Sequence, residues 1–317
     1  MRVTSRPKVV VLAALPAAGM ELLRPRFVVE ARGARADTGW LEEHAPGSVA
    51  LVADPSIQVG QELMDAVGTS LMVVSNFGVG YDNIDLGAAR ERGVRATNTP
   101  GVLTNATAEL AVALMLAAGR RIAEADAMIR MGRWTDPDAD LLGRELAGAT
   151  VGLVGLGRIA RRVAELLRCF DVQLSFTSRS NASPPPGAER RELEDLLAAS
   201  DFVSLHVPLT EQTRHLIDAQ AFARMRRGAV LVNTSRGAVV DTTALIDALR
   251  TGHLGAAGLD VYEDEPNVPD ELRELPNTVL LPHLGSATAA TRNAMARLCA
   301  ENVIAVVEGR EPPTPVI

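Results

Sequence analysis

Three residues in the last third of the chain have types and spacing suited to acid–base chemistry on a small anion. They are Arg236 in LVNTSRG, Glu265 in GLDVYEDEP, five residues after Asp260 at a strand end, and His283 in LLPHLGSAT. Arginine keeps its charge and offers a planar fork of donors to a carboxylate. Histidine is available as imidazolium near neutral pH and can protonate an emerging alkoxide. A glutamate beside it stabilises that imidazolium and orients the ring. Reduction of a 2-oxo acid needs such a cation and such an acid, together with a hydride donor. Singly, each residue has an ordinary reading: a polar surface histidine, a turn-capping glutamate, an arginine in an ion pair. Their joint placement after three successive strand-like runs favours the chemical reading, because open α/β sheets hold ligands at the carboxyl ends of their strands.

A site for the hydride donor is written in TVGLVGLGRIA, residues 150–160. Val151–Val154 reads as a short buried strand, Gly155, Gly157 and Ala160 form G-x-G-x-x-A, and an amphipathic helix over Arg161–Phe170 follows. Gly155 permits the tight turn, Gly157 lets the backbone approach a pyrophosphate, and Ala160 allows close helix–strand packing. The helix N-terminus adds free N–H groups and a partial positive charge. The place about 20 residues on, where NAD-binding folds carry an acid for the ribose 2′-OH, holds Ser178, Arg179 and Ser180, and no carboxylate stands in Thr177–Ser183. An arginine flanked by hydroxyls suits a 2′-phosphate, so NADP is preferred over NAD. The alternative is that Arg179 is a solvated charge at a strand end.

These residues need parallel sheets to position them. Strand-like runs alternate with helical ones, at Val9–Ala14, Val49–Ala53, Leu71–Ser75 and Val94–Asn98, then from Val151 through Val172–Thr177, Phe202–His206, Ala229–Asn233, Gly255–Val261 and Val279–Leu281. The reading is two α/β domains. Residues 1–100 and 286–317 form a discontinuous first domain, with crossovers at Pro100-Gly101 and Gly285-Ser286, and residues 101–285 form the dinucleotide-binding one. Between the two sets, Ala106–Arg120 predicts a helix apolar almost all round, buried on most sides and packed in a core, between domains or between subunits. Ala287–Val307 predicts an apolar-striped C-terminal helix, and Ser183–Gly187 a surface loop.

At 317 residues the chain is long enough for two full cores, and its formal charge of −7 argues against a nucleic-acid or anionic-membrane partner. Arg2, Arg6 and Lys8 before Val9–Leu15 superficially resemble a signal peptide, but the β-branched run reads better as a first core strand. No apolar stretch reaches membrane-spanning length. The two cysteines, Cys169 and Cys299, lie in helix-like apolar stretches and read as buried free thiols, with no disulfide framework or metal-ligand spacing. A cytoplasmic enzyme is expected.

The same residues resemble a family almost from end to end. SNFGVGYDNID (75–85), TNTPGVLTNATAE (97–109), VGLVGLGRIA (151–160), DFVSLHVPLTEQTRHLI (201–217), LVNTSRGAVVD (231–241), GLDVYEDEP (258–266) and LPHLGSAT (281–288) are similar to the D-2-hydroxyacid dehydrogenases, in particular to their glyoxylate/hydroxypyruvate reductase branch. The resemblance implies two Rossmann-like or flavodoxin-like domains with parallel sheets and an active site in the cleft between them. It implies that Arg236 binds substrate, that Glu265 and His283 are the acid–base pair, and that the backbone N–H groups of Val79 and Gly80 hold the substrate carboxylate. It places the cofactor against Gly155, Leu156, Gly157, Arg158 and Ile159, against Ser178–Ser180, and against Val207, Pro208, Thr213, Thr234, Ser235, Asp260 and Gly285. It also implies a homodimer formed through the cofactor domains. Ala160 stands where many members have glycine. The segment after Trp134, TDPDADLLG, lacks the further tryptophan that several glyoxylate reductases place near the substrate. Two other readings of the same fold are a 3-phosphoglycerate dehydrogenase type of enzyme and a nucleotide-sensing corepressor.

Overall fold

The computed structural model describes residues 6–135, 141–181 and 183–317. Arg2 and residues 136–140 of the segment after Trp134 lie outside the described residues. The chain divides into two compact units, one running to Leu103 and resuming over Ala287–Ile317, the other spanning Thr104–Ser286.

The first unit is built on a five-stranded parallel sheet of β1 (Lys8–Leu12), β2 (Val28–Ala31), β3 (Ala50–Ala53), β4 (Val73–Asn76) and β5 (Arg95–Thr97), in the order β2-β1-β3-β4-β5. Central strands of such a sheet are covered on both faces and read as unbroken apolar runs. Val9–Leu12 and Ala50–Ala53 are accordingly buried throughout, so the run behind Arg6 and Lys8 is a core strand. The helix Ala289–Val307 lies against β3, β4 and β5, and the side chain of Thr288 caps it by accepting from the Thr291 N–H. Strand order 2-1-3-4-5 is that of the flavodoxin-like folds.

The second unit carries a seven-stranded sheet, also parallel throughout. Its strands are β6 (Thr150–Val154), β7 (Gln173–Thr177), β8 (Ala188–Arg190), β9 (Phe202–Leu205), β10 (Ala229–Asn233), β11 (Leu254–Leu259) and β12 (Thr278–Leu280), in the order β12-β11-β10-β9-β6-β7-β8. Strand order reverses between β6 and β9, the switch point at which a doubly wound sheet opens a crevice for a dinucleotide. The long apolar helix, Thr104–Gly119, buries Ala108, Ala111, Leu114 and Met115 against β10, β11 and the helix Arg158–Leu167 of the same unit.

Two sequence-based expectations are corrected. The helix after the glycine turn begins at Arg158, directly behind Gly157, and ends at Leu167 in a short 3₁₀ turn, Arg168–Phe170. Cys169 therefore lies past the buried stripe of that helix and is exposed, whereas Cys299 is buried. The proline-rich Ser183–Gly187 is the surface loop expected of it, and it leads into β8, a three-residue edge strand.

Candidate active site

Because β10, β11 and β12 are neighbours in one parallel sheet, the segments that leave their carboxyl ends lie side by side. Behind β10, the Asn233 side chain folds the chain into a tight turn. Its Oδ1 accepts from the Ser235 N–H at 3.0 Å and the Ser235 hydroxyl at 2.8 Å, and its Nδ2 donates to Arg236 O at 2.8 Å. Arg236 Nη1 donates to Ser235 O at 2.9 Å. The next residue touches the β11 segment so closely that a side chain is impossible. A Cβ on Gly237 would stand 1.8 Å from the carbonyl carbon of Tyr262. The turn bearing Arg236 is thus pressed against the turn bearing Glu265.

Glu265 is held at both carboxylate oxygens. Oε1 accepts from the Tyr262 N–H at 3.0 Å, and Oε2 accepts from His283 Nδ1 at 2.7 Å. Burial pushes its pKa up, but the hydrogen bond and charge of His283, the Tyr262 N–H and the charge of Arg236 outweigh burial and hold the carboxyl below its ordinary range. Glu265 is therefore the anion of the couple at neutral pH. With Nδ1 engaged, Nε2 is the ring nitrogen left to exchange a proton with a ligand, and the His283 side chain is 42% exposed, accessible to one.

The His283 backbone is left-handed, with φ +55°, a conformation that costs a non-glycine residue on the order of 1–3 kcal/mol and persists only where neighbours enforce it. Asp260 does the enforcing. Its carbonyl accepts from the His283 N–H at 3.0 Å, and its carboxylate accepts from the Leu284 and Gly285 N–H groups at 2.6 and 2.8 Å. Asp260 is 1% exposed, and burial raises its pKa against the opposing effect of those two N–H groups and of His283. Gly285 is fixed from its other side as well, since Thr107 Oγ1 donates to its carbonyl at 2.9 Å.

The residues at the switch point fit a dinucleotide. Gly155 has φ +95° and lies so close to β9 that a Cβ would fall 2.7 Å from His206 O, so no other residue keeps this turn. Gly157, the N-cap of Arg158–Leu167, has nothing within 4 Å of its Cβ position, and no acidic residue stands in the first turn of the helix. That open approach to free N–H groups is what a pyrophosphate requires. Leu156 and Ala160 are buried beneath the turn, Ile159 is partly buried, and Arg158 is exposed. At the end of β7, Ser178 Oγ and Ser180 Oγ lie 3.0 Å apart, and Arg179 is exposed. Arg190 reaches back from β8, stacking over Phe176 and donating to the carbonyls of Ser178 and Ser180. Beyond β9, Val207 and Pro208 open a loop closed by Thr213, whose hydroxyl donates to Pro208 O at 2.6 Å. Thr234 Oγ1 is buried without a hydrogen-bond partner among the described residues, a spare polar group at the end of β10.

Val79 and Gly80 belong to the other unit, in the loop after β4. Neither backbone N–H has an acceptor among the described residues, while the flanking carbonyls are all engaged. Asn233, Arg190 and the brace formed by Asp260 escaped the sequence reading. The N-x-S spacing of Asn233 and Ser235 is a turn signal that points to the first. Nothing local marks Arg190.

Known proteins resemble this chain in sequence and in fold. The family described as "D-isomer specific 2-hydroxyacid dehydrogenase, NAD binding domain" matches residues 112–285. A glyoxylate reductase of Thermococcus litoralis is 44% identical over 97% of this chain and 96% of its own. A crystal structure of a Thermus thermophilus protein superposes with a TM-score of 0.91 at 45% identity, covering 98% of this chain and all of that one. An NADPH-dependent glyoxylate/hydroxypyruvate reductase of Sinorhizobium meliloti, solved with NADP and malonate, gives 0.88 at 36% identity over 98% and 97% of the two chains. With a dinucleotide turn at the switch point and an Arg–Glu–His set across three adjacent strand ends, the chain belongs to the D-isomer specific 2-hydroxyacid dehydrogenases.

Proposed function

We propose that this protein reduces a small 2-oxo acid of the glyoxylate or hydroxypyruvate type to the D-2-hydroxy acid, with NADPH preferred to NADH. The Glu265–His283 couple beside the charge of Arg236 carries this reading. The nicotinamide cofactor, when bound, supplies the hydride. Gly155–Ile159 receive its pyrophosphate, Thr213, Thr234, Ser235 and Asp260 line its path, and Ser178–Ser180 receive its ribose. Arg236 binds the substrate carboxylate and keto oxygen with its fork, and its charge strengthens that hold as the oxygen becomes an alkoxide. His283 Nε2 delivers the proton to that oxygen. Glu265 keeps the ring charged and oriented until the transfer. The Val79 and Gly80 N–H groups hold the carboxylate, which makes the first unit the substrate domain.

The preference for NADPH is supported by Arg179, for which no competing partner is found among the described residues, and by the hydroxyls of Ser178 and Ser180 beside it. A homodimer through the second unit is supported by the helix Ile122–Arg130, which buries none of its residues. Ile122, Ile129, Met131, Trp134 and Leu142 are all more than half exposed there. Apolar surface of this extent on one segment marks an interaction site.

The deciding experiment is consumption of NADPH and of NADH with glyoxylate, hydroxypyruvate, pyruvate and bulkier 2-oxo acids. The expected result is turnover of the smallest acids, with NADPH favoured. Tight NADP(H) binding without turnover of any of them overturns the reading in favour of a sensor.

A further inference from the structure

The loop after β4 is constrained through its carbonyls. In a trans peptide the C=O of one residue and the N–H of the next point in opposite directions. Fixing Gly78 O therefore aims the Val79 N–H, and fixing Val79 O aims the Gly80 N–H. Two consecutive residues do both. The Thr99 backbone N–H donates to Gly78 O at 2.9 Å, and Asn98 Nδ2 donates to Val79 O at 2.7 Å. Asn76 Nδ2 donates to Gly80 O at 2.5 Å, closing the loop from the strand side.

Asn98 is itself locked from behind. Its N–H donates to Thr314 O, and its carbonyl accepts from Thr314 Oγ1 at 2.6 Å and from Asn302 Nδ2 at 3.4 Å. Asn302, in the C-terminal helix, is fully buried and also donates to Thr314 Oγ1 at 2.8 Å. A buried amide with every partner satisfied holds its geometry rigidly.

We propose that Asn98 is a positioning residue for substrate. Its side-chain amide, carried on a backbone that Asn302 and, in the C-terminal tail, Thr314 hold in place, turns the Val79–Gly80 peptide so that its N–H is presented to the carboxylate of the 2-oxo acid. This rests on the reading that the Val79 and Gly80 N–H groups bind that carboxylate. The group held is an anion present unchanged in substrate and transition state, so loss of the aim weakens binding without slowing the bound complex.

The test is Asn98→Leu, close in size but unable to donate, with Thr314→Val as a milder variant that removes one anchor and leaves the amide in place. Steady-state kinetics with glyoxylate, inhibition by oxalate and NADPH titration are measured for each. For Asn98→Leu, KM for glyoxylate and Ki for oxalate are expected to rise together by about tenfold or more, as the loss of one hydrogen bond to a charged group predicts. Its kcat should stay within about threefold, and its NADPH affinity should be unchanged. Thr314→Val should show the same pattern at roughly a third of the size. If KM and Ki in both variants match the wild type, the proposal is overturned while the proposed function stands. It is overturned equally if kcat and NADPH affinity fall along with KM, which marks a merely structural role. If the wild type neither reduces a 2-oxo acid nor binds oxalate, the function itself fails, and that is seen before any variant is made.

Discussion

A carboxylate, an imidazole and a guanidinium act as a unit only if their charges sense one another, and Glu265 records that they do. Its pKa is lowered although burial alone raises it. Glu265 is thus ionised through the neutral range. Replacing Glu265 with Gln removes the negative charge that favours the imidazolium. The high-pH limit of 2-oxo acid reduction is expected to move to lower pH, and the low-pH limit of hydroxy-acid oxidation to move down with it. A pH–kcat/KM profile that stays in place rules Glu265 out as the partner. Arg236→Lys keeps a charge and loses the fork. Loss of a charge-assisted hydrogen bond amounts to about 1.5–3 kcal/mol, so kcat/KM should fall about 10- to 150-fold, with NADPH binding by fluorescence little changed. These three side chains were legible in the sequence because each sits in a short motif at a strand end, where residue type already implies its chemistry. Asn98 and Asn233 were not, because an amide whose partners are backbone groups acquires its meaning only once the chain has turned. Cys169 misled for a related reason. Its apolar surroundings continue the helical pattern past Leu167, but the backbone does not.

At the scale of elements, the glycine turn separates two requirements that the motif prints as one. Gly155 serves the fold, having positive φ and β9 against it, whereas Gly157 faces open space with φ −79°. Gly155→Ala is expected to lose about 1–3 kcal/mol of stability from strain and crowding. Gly157→Ala should unfold within about 0.5 kcal/mol of the wild type yet bind NADPH at least about tenfold more weakly, because its methyl occupies the pyrophosphate approach. Chemical denaturation beside cofactor titration separates the two, and equal stability losses would show that Gly157 is structural as well. The strands that hold the site, β6 and β9 to β12, were readable as apolar runs of parallel-sheet type. β2 and β8 were missed because both are short edge strands, VVEA and AER, with almost no buried side chain to give them a pattern.

For the molecule as a whole, acid is a specific hazard. His206, at the end of β9 with Nε2 3.0 Å from Ser204 Oγ, has its pKa pushed down by burial to about 4. Its unfolded value is about 6.5, so its contribution is present in full above that pH and is lost as pH falls toward 4, amounting to at most about 3 kcal/mol. Unfolding free energy measured from about pH 7 to about pH 4.5 should decline less steeply in His206→Gln than in the wild type, and parallel curves would refute the assignment. Assembly is tested by Ile129→Glu. A charge within the apolar surface of Ile122–Arg130 is expected to convert the proposed dimer to a monomer in sedimentation while cofactor affinity persists. The division at Leu103 and Ser286 has a further consequence. The second unit is an insertion whose entry helix is stapled to its exit by Thr107 Oγ1 on Gly285 O. A cassette whose two ends meet imposes no stretch on whatever chain it interrupts. Residues 104–286 should therefore be portable: able to fold when excised, to tolerate new termini cut into a surface loop with the old ones joined, and to be exchanged as a block between hosts with different substrate-recognition halves.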